Sequence, residues 1–389
     1  MRGGGEGAIM VTQGNIRGGQ HGVTLIELMV GAVVATIVIA AGFAVLTSSS
    51  KALTTNEQTI ETQQNVRVAM EFLFRDIRQA GFGMNGPVGN CSTAIVPADN
   101  NTAGPDRGPD RISLVLPVGN PVGTATDPAW ILNSDTTIGF NLLALPSAVA
   151  VTNMASEAGG SLTVPPATIS IGGAITTTVT AVGGANLTVA AVPAPTALKG
   201  NTPIYLLQCI TYQIIAPPDP TGLCAGRSPC LVRGVAGGLT AGVLDCTTAG
   251  SRCTSIADEI EDIQFAYGCD GCVAAVNGGT ADGIIDNQGG AAGYDQADFV
   301  TNNAWATAPL TADKIQLAQV TIVGRQRRAD QGFGDSNQQT VQGTALQVSD
   351  HLHSDGVFAS GDYATLTPPY TSTRRRLMTR TIELRNLRH

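Results

Sequence analysis

The apolar residues near the N-terminus form one continuous run. From Leu28 to Leu46, nineteen residues carry no charge, and Thr36 is the only clearly polar side chain among them. At about 1.5 Å per residue, such a helix roughly spans the ~30 Å hydrocarbon core of a bilayer. The run therefore predicts a membrane helix; the alternative, a buried helix of a soluble core, rarely stays uncharged for so long.

The pattern then changes to a helical stripe. Residues 47–80 contain neither Pro nor Gly, so we expect the helix to continue to Ala80, where Gly81, Gly83 and Gly86 end it. Four apolar residues recur at helical spacing and should be buried: Val66, Met70, Leu73 and Ile77. Four charged residues lie off this stripe and should face water: Arg67, Arg75, Asp76 and Arg78.

The rest of the chain reads as β-structure. Between Ile112 and Ile215, short β-branched segments alternate with Gly- and Pro-rich turns, a pattern that favours strands over low-complexity disorder. Further strands are predicted at residues 203–215, 259–268, 314–324 and 376–387. An antiparallel sheet packed on the distal half of the helix is the simplest arrangement, and the predicted fold class is α+β.

Composition and charge narrow the function. With 47 Gly, 20 Pro and 4% aromatic residues among 389, the chain is typical of a loop-rich β protein. Its net charge of -8 makes nucleic acid an unlikely partner, since phosphate binding needs a basic surface. The exception is an arginine-rich C-terminus, which we interpret as the solvent face of a strand, with DNA or anionic lipid binding as alternatives. Its residues are Arg374, Arg375, Arg376, Arg380, Arg385 and Arg388.

Eight cysteines indicate an exported domain held by disulfides. They are Cys91, Cys209, Cys224, Cys230, Cys246, Cys253, Cys269 and Cys272. Closeness along the chain favours pairing of Cys224 with Cys230 and of Cys246 with Cys253, and the other pairings stay open.

Three groups of residues are candidates for chemistry. Calcium could bind a Gly-rich loop through Asp270, Asp282, Asp286 and Asn287, although an Asx-rich turn is the favoured interpretation. The CxxC pair Cys269 and Cys272 could be redox-active or half a zinc site, but a structural disulfide is favoured.

The third candidate is the segment DHLHSD. It places Asp350, His351, His353 and Asp355 together, as in a metal site or, by preference, an exposed polar turn. The sequence lacks a phosphate-binding loop, a nucleophile elbow and a dinucleotide fingerprint, so we predict that the protein is not an enzyme.

One carboxylate, Glu27, precedes the apolar run. A carboxylate in the membrane region costs about 2 to 3 kcal/mol and usually has a partner. Cleavage after Gly22 would give Val23 a free ammonium, and the ammonium of a neighbouring chain could pair with Glu27.

The segment GVTLIEL, from Gly22 to Leu28, together with the apolar run resembles the cleavage and methylation signature of type IV prepilins and type II secretion pseudopilins. The resemblance implies that a prepilin peptidase cuts after Gly22 and methylates Val23, and that Glu27 guides subunit addition. The true start could be Met1 or Met10.

Other segments resemble the PilW group of minor pilins. They are FLFRDIRQAGFGMNG at 72–86, EIEDIQFAYGCDG at 259–271, AQVTIVGRQRRADQGF at 318–333 and RRRLMTRTIELRN at 374–386. The resemblance implies a type IV pilin-like fold in which a long N-terminal helix packs on a C-terminal antiparallel β-sheet domain with disulfides. It divides the chain into a leader (1–22), a membrane and assembly helix (23–46), a periplasmic continuation (47–80) and a β-rich domain (81–389).

The function implied is that of a minor pilin in type IV pilus assembly or initiation, at the tip or with a role in adhesion. Its partners would be the major pilin, other minor pilins, the prepilin peptidase and the assembly platform. It would reside in the inner membrane with a periplasmic C-terminal domain, and on the cell surface after assembly. The alternatives are a J-type pseudopilin and, from another class, a membrane-anchored periplasmic metal-binding enzyme that uses His351 and His353.

Overall fold

The structure is a computed structural model, and it describes residues 22–99, 108–192, 197–227, 229–235, 239–240, 243–246, 252–286, 298–301, 305–328, 346–348, 351–353, 373–384 and 386. The chain divides into two compact units, Met1–Asn56 and Glu57–His389.

A single long helix, α1 (Leu25–Gln79), begins the described chain. Its predicted stripe is confirmed, because Val66, Met70, Leu73 and Ile77 are all buried. Gly81 and Gly83 follow the helix with φ values of 79° and 67°, a left-handed conformation that ends a helix at low cost only for Gly. At Gly83 a Cβ would also overlap Ser170, so the turn packs closely.

The strands of the described residues, in chain order, are β1 (Ile95–Ala98), β2 (Arg111–Val118), β3 (Leu142–Ala144), β4 (Thr168–Ile171), β5 (Ile175–Gly183), β6 (Asn186–Val189), β7 (Ile204–Ile215), β8 (Cys230–Val235), β9 (Leu239–Thr240), β10 (Val243–Leu244), β11 (Thr254–Asp258), β12 (Ile260–Cys269), β13 (Ala306–Thr307), β14 (Leu310–Thr311), β15 (Ile315–Arg325), β16 (Leu346–Val348), β17 (His351–His353) and β18 (Arg375–Glu383). A second helix, α2 (Ala148–Glu157), interrupts them.

Two antiparallel sheets form most of the β-structure. The larger has nine strands in the order β1-β2-β7-β4-β5-β6-β3, with β8 also paired to β7 and β11 paired to β8. The smaller has the order β12-β15-β18, with Ile263 opposite Ile322 and Ile322 opposite Met378. Short two-stranded pairs join β9 to β10, β13 to β14 and β16 to β17.

The distal half of α1 packs on both sheets. Its buried stripe shares one core with Ile112, Leu114 and Tyr212 of the larger sheet and with Ile263 and Ile322 of the smaller. The helix approaches β15 so closely that a Cβ on Gly324 would overlap Val66. The predicted α+β, pilin-like layout is confirmed.

A second core lies between α2 and strands β3, β5 and β6. It contains Leu143, Met154, Val179 and Leu187, all buried. The sequence predicted only strands in this part of the chain, so α2 was missed. Its signals are Ser147, whose hydroxyl accepts a hydrogen bond from the Ala150 amide as an N-cap, and the alanine-rich segment that follows.

The prediction that Asp76 faces water is wrong. Only 2% of Asp76 is exposed, because its carboxylate accepts hydrogen bonds from Tyr212 Oη (2.6 Å) and Arg233 Nε (2.8 Å). Burial and the neighbouring Asp76 charge raise the pKa of Tyr212, so its hydroxyl stays protonated and donates. Arg67 and Arg75, in contrast, are exposed as predicted.

The C-terminal arginines divide in a similar way. Arg374, Arg376 and Arg380 are exposed, as predicted for the solvent face of a strand. The same prediction is wrong for Arg375, whose Nε and Nη2 donate to Glu261 Oε2 (2.6 Å) and Oε1 (3.0 Å). Glu261 is completely buried, and Arg375 neutralises it together with Arg325, whose Nη1 lies 4.0 Å from Glu261 Oε1. Arg385 and Arg388 lie outside the described residues.

All eight cysteines form disulfides. The two predicted pairs, Cys224–Cys230 and Cys246–Cys253, are present. The structural disulfide favoured for the CxxC pair is also present, as Cys269–Cys272. The remaining pair, Cys91–Cys209, ties the segment after α1 to β7.

Candidate functional site

The first turn of α1 is closed by Thr24 and Glu27. Glu27 Oε2 accepts hydrogen bonds from the Thr24 amide (3.0 Å) and the Thr24 hydroxyl (2.9 Å), while Thr24 Oγ1 lies 3.3 Å from the Glu27 amide and accepts from it. This reciprocal arrangement is a capping box, which satisfies amides that have no partner within the helix. The role of Thr24 was not predicted from the sequence, although the pattern Thr-x-x-Glu is a signal for it.

Both hydrogen bonds to the carboxylate use the same oxygen of Glu27. Among the described residues, Oε1 has no hydrogen-bond or ion-pair partner. One oxygen can therefore hold the helix start while the other accepts a donor from another molecule, such as an ammonium.

Gly22 has no structural reason to be glycine within the described chain. A Cβ at this position would meet no atom within 4 Å, and its φ lies outside the left-handed region that favours glycine. A requirement for Gly22 would therefore come from an interaction that the fold itself does not contain.

The helix α1 is apolar and exposed over its N-terminal half. It is the one helix in the described part of the chain that is long and apolar enough to cross a membrane, and its most apolar window has no buried residue. Val30, Ile37 and Phe43, for example, are all more than half exposed. Apolar surface of this extent needs lipid or other apolar helices around it.

The Gly-rich loop after β12 contains two buried carboxylates. Asp270 accepts hydrogen bonds from the amides of Asp282 and Gly283, both at 2.9 Å. Asp286 accepts from the amides of Gly271 (3.0 Å), Cys272 (2.9 Å) and Val273 (2.8 Å). The two carboxylates thus fold the loop onto itself, as Asx-rich turns do.

A lysine from outside this loop also binds to it. The Lys314 ammonium donates to the carbonyls of Gly271 and Gly279. Cys269, Cys272 and Asp286 lie close enough to hold a metal ion by distance, but the two sulfurs are joined in a disulfide and offer no thiolate. Asn287 lies outside the described residues, and calcium binding at Asp270, Asp282, Asp286 and Asn287 stays a prediction.

The histidine segment is described only in part. His351 and His353 lie in β17, which pairs with β16 as a hairpin. Asp350 and Asp355 lie outside the described residues, so a metal site there stays a prediction.

Comparison with protein families supports the two resemblances found in the sequence. Residues 225–386 match the family described as Type IV Pilus-assembly protein W, and residues 17–43 match the Prokaryotic N-terminal methylation motif. Comparisons with curated proteins and with solved structures found no match. Residues 17–43 include Gly22, Val23 and Glu27, and residues 225–386 include the whole of the smaller sheet. The predicted resemblance to PilW-like pilins is confirmed.

Proposed function

We propose that this PilW-like type IV pilin is a minor pilin that enters the pilus through α1 after cleavage between Gly22 and Val23. The main support for this proposal is the position at which α1 begins. The capping box lies directly after the proposed cut, and the most apolar window of the helix behind it has no buried residue. A protein with such a helix is anchored in a membrane or packed among similar helices.

The proposal divides the chain by function. Residues 1–22 are the leader that the peptidase removes, residues 23–46 form the membrane and assembly helix, residues 47–80 continue it in the periplasm, and residues 81–389 form the β-rich domain. The N-terminal motif and the apolar helix fit a membrane-anchored pilin that is later part of a pilus. We place the β-rich domain on the periplasmic side, where its four disulfides can form.

Glu27 has two roles in this proposal. Its Oε2 closes the capping box, and its Oε1 accepts the N-terminal ammonium of a neighbouring subunit. In an apolar environment such an ion pair is strong, because water does not screen it. It forms only when two helices lie side by side, so it couples charge neutralisation to assembly.

The partners are the major pilin, other minor pilins, the prepilin peptidase and the assembly platform, and the site of action is pilus initiation at the tip. An adhesive role would fall to the β-rich domain. We propose a structural rather than a catalytic role, in line with the family description as an assembly protein. The match to that family favours a pilus over a J-type secretion pseudopilus.

Two substitutions separate the roles of Glu27. In Glu27→Gln, the amide oxygen can still accept from Thr24, but the negative charge is lost. We expect cleavage and membrane insertion to continue, while the amount of the protein in sheared pili falls about tenfold, because the ammonium of the neighbouring subunit has no counter-charge. Immunoblots of pilus and membrane fractions measure this effect.

The matched control is Thr24→Ala, which removes the capping hydroxyl and keeps the charge. This variant should enter pili nearly as well as the parent protein. Normal incorporation of Glu27→Gln would refute the charge role, whereas equal losses in both variants would assign Glu27 to helix capping alone.

The intact mass of the membrane-extracted protein tests the processing step. The expected species begins at Val23 and carries one added methyl group, and Gly22→Val should leave the leader attached. Because a Cβ at Gly22 meets no described atom, this variant should fold normally. A chain that retains residues 1–22 in the parent protein would contradict the proposal.

A further inference from the structure

A groove of about 680 Å³ runs beside the C-terminal part of α1. Its helical wall is one face of α1 and the following turn, formed by Glu71, Phe74, Arg75, Arg78, Gln79 and Phe82. Its opposite wall comes from the end of β2 and the start of β7, with Pro117, Gly119 and Tyr205, and Asn386 closes one side. All of these residues belong to the unit Glu57–His389.

The floor and walls of the groove combine aromatic rings with cations. The rings of Phe82 and Tyr205 meet edge to face, with centroids 5.3 Å apart. The guanidinium groups of Arg78 and Arg380 lie over the Phe74 ring, at 5.1 Å and 4.9 Å from its centroid. This stacking holds both cations at the groove while leaving their N–H groups available for hydrogen bonds.

The charged side chains that line the groove are Glu71, Arg75 and Arg78, an excess of one positive charge on a chain whose net charge is -8. Arg75 is bound to the buried carboxylate of Asp76, and Arg380 lies 3.9 Å from the exposed Glu71. Arg78 has no ion-pair partner among the described residues. The two arginines that line the groove are Arg75 and Arg78, and Arg78 is the one without a counter-ion in the described part of the chain, so the complement of this surface is a ligand with carboxylates around an apolar group.

The length of the groove indicates the form of the ligand. The helical wall from Glu71 to Gln79 is about 12 Å long, which equals about four residues of extended peptide. An aromatic and proline-lined surface of this length can accept one apolar side chain, and its arginines can bind carboxylates on either side.

We propose that this aromatic–arginine groove binds an acidic peptide segment of another pilus subunit, in which carboxylates flank an aromatic or aliphatic residue. The identity of the partner as a pilus subunit rests on the proposed function, whereas the binding chemistry rests on the groove alone.

The direct test uses the mature full-length protein in detergent and a fluorescein-labelled pentapeptide of four glutamates around a central phenylalanine. We expect saturable binding that weakens as salt rises, and no binding of the pentapeptide with lysines in place of the glutamates. An oligogalacturonate is the competitor. If the saccharide binds and the acidic peptide does not, the proposal is overturned in favour of an acidic glycan.

Three variants locate the binding. Arg78→Glu should weaken peptide binding about tenfold or more, since it replaces a charge-assisted donor with a repulsive acceptor. The matched control is Arg67→Glu, which makes the same change at an exposed position of α1 outside the groove, and it should alter binding less than about twofold.

Glu71→Gln should strengthen binding, because it removes the one exposed anion among the residues that line the groove. Equal effects of Arg78→Glu and Arg67→Glu would overturn the proposal.

An experiment in cells distinguishes failure of this proposal from failure of the proposed function. Arg78→Glu should be cleaved and inserted in the membrane like the parent, yet be depleted from pili. Peptide binding together with normal pilus incorporation of Arg78→Glu would overturn the pilus subunit as the partner. The peptide results do not depend on Glu27, so loss of the charge role of Glu27 would leave the groove intact as a binding site.

Discussion

The buried carboxylate of Asp76 connects the long helix to the larger sheet. Asp76 accepts from Arg75 Nε (3.1 Å) through one oxygen, and from Tyr212 Oη (2.6 Å) and Arg233 Nε (2.8 Å) through the other. It therefore joins α1 to β7 and β8 at one point. Because the carboxylate is almost completely buried, these three donors replace the water that would otherwise solvate it.

We expect Asp76→Asn to lower the free energy of unfolding by about 2 to 3 kcal/mol. The amide keeps the size of the carboxylate but carries no charge, so Arg233 is left partly buried without a counter-ion. Urea denaturation of the detergent-solubilised protein measures the change.

The matched control is Asp135→Asn. Asp135 pairs with Lys199 at 2.8 Å, but both side chains are largely exposed, and water already solvates them. Its unfolding curve should nearly coincide with that of the parent. If the two variants are equally stable, the buried network of Asp76 contributes nothing.

At this scale, the sequence predicts residues that act through their neighbours along the chain. Residues 17–43, which contain Gly22, Val23 and Glu27, match the N-terminal methylation motif, whereas the roles of these three residues stay a prediction. The buried stripe of Val66 and Leu73 follows from helical periodicity. Burial of Asp76 does not, because it depends on Tyr212 and Arg233, which are remote in sequence. Arg375 was misplaced for the same reason, since its partner Glu261 lies 114 residues away.

At the scale of elements, the Cys91–Cys209 disulfide fixes the segment after α1 to β7. It closes a loop with a sequence separation of 118, whereas Cys224–Cys230 closes one of 6. All four cysteines are buried, so substitution by serine changes local packing similarly in both pairs. The difference between the pairs then reports mainly the entropy of the unfolded chain.

We expect the double substitution Cys91→Ser/Cys209→Ser to cost about 5 kcal/mol of stability, and Cys224→Ser/Cys230→Ser about 2 kcal/mol. Denaturation of the two double variants under identical oxidising conditions measures both values. A larger loss for the short loop would show that local packing, not chain entropy, dominates.

Elements themselves follow well from the sequence. The predicted strand at 203–215 corresponds to β7 (Ile204–Ile215), and the strand at 314–324 to β15 (Ile315–Arg325). The order of strands does not follow, because it is set by pairing between distant segments such as β2 and β7. The aromatic–arginine groove could not be predicted from the sequence either, because α1, β2 and β7 meet there only in the folded chain.

At the scale of the whole molecule, the two largest hydrophobic cores lie in different parts of the β-rich unit. The core that contains Ile263 and Ile322 joins the distal half of α1 to both sheets. The core that contains Leu143 and Leu187 is built from residues between 118 and 206, outside the two segments that match known families. The strand β7 contributes to both cores, Ile204 to one and Ile210 to the other.

Separate cores should open separately, because each loses its own packing when it unfolds. We expect Leu187→Ala, which leaves a cavity costing about 2 to 5 kcal/mol, to speed amide hydrogen exchange first in β3, β5 and β6, while β12 and β15 stay protected. The matched substitution Ile263→Ala, at an equally buried position, should instead expose β12 and β15. Exchange measured by mass spectrometry at short times distinguishes the two patterns. Simultaneous loss of protection in both sets after Leu187→Ala would mean that β7 couples the cores into one cooperative unit, and that the unmatched segment is an integral part of the fold.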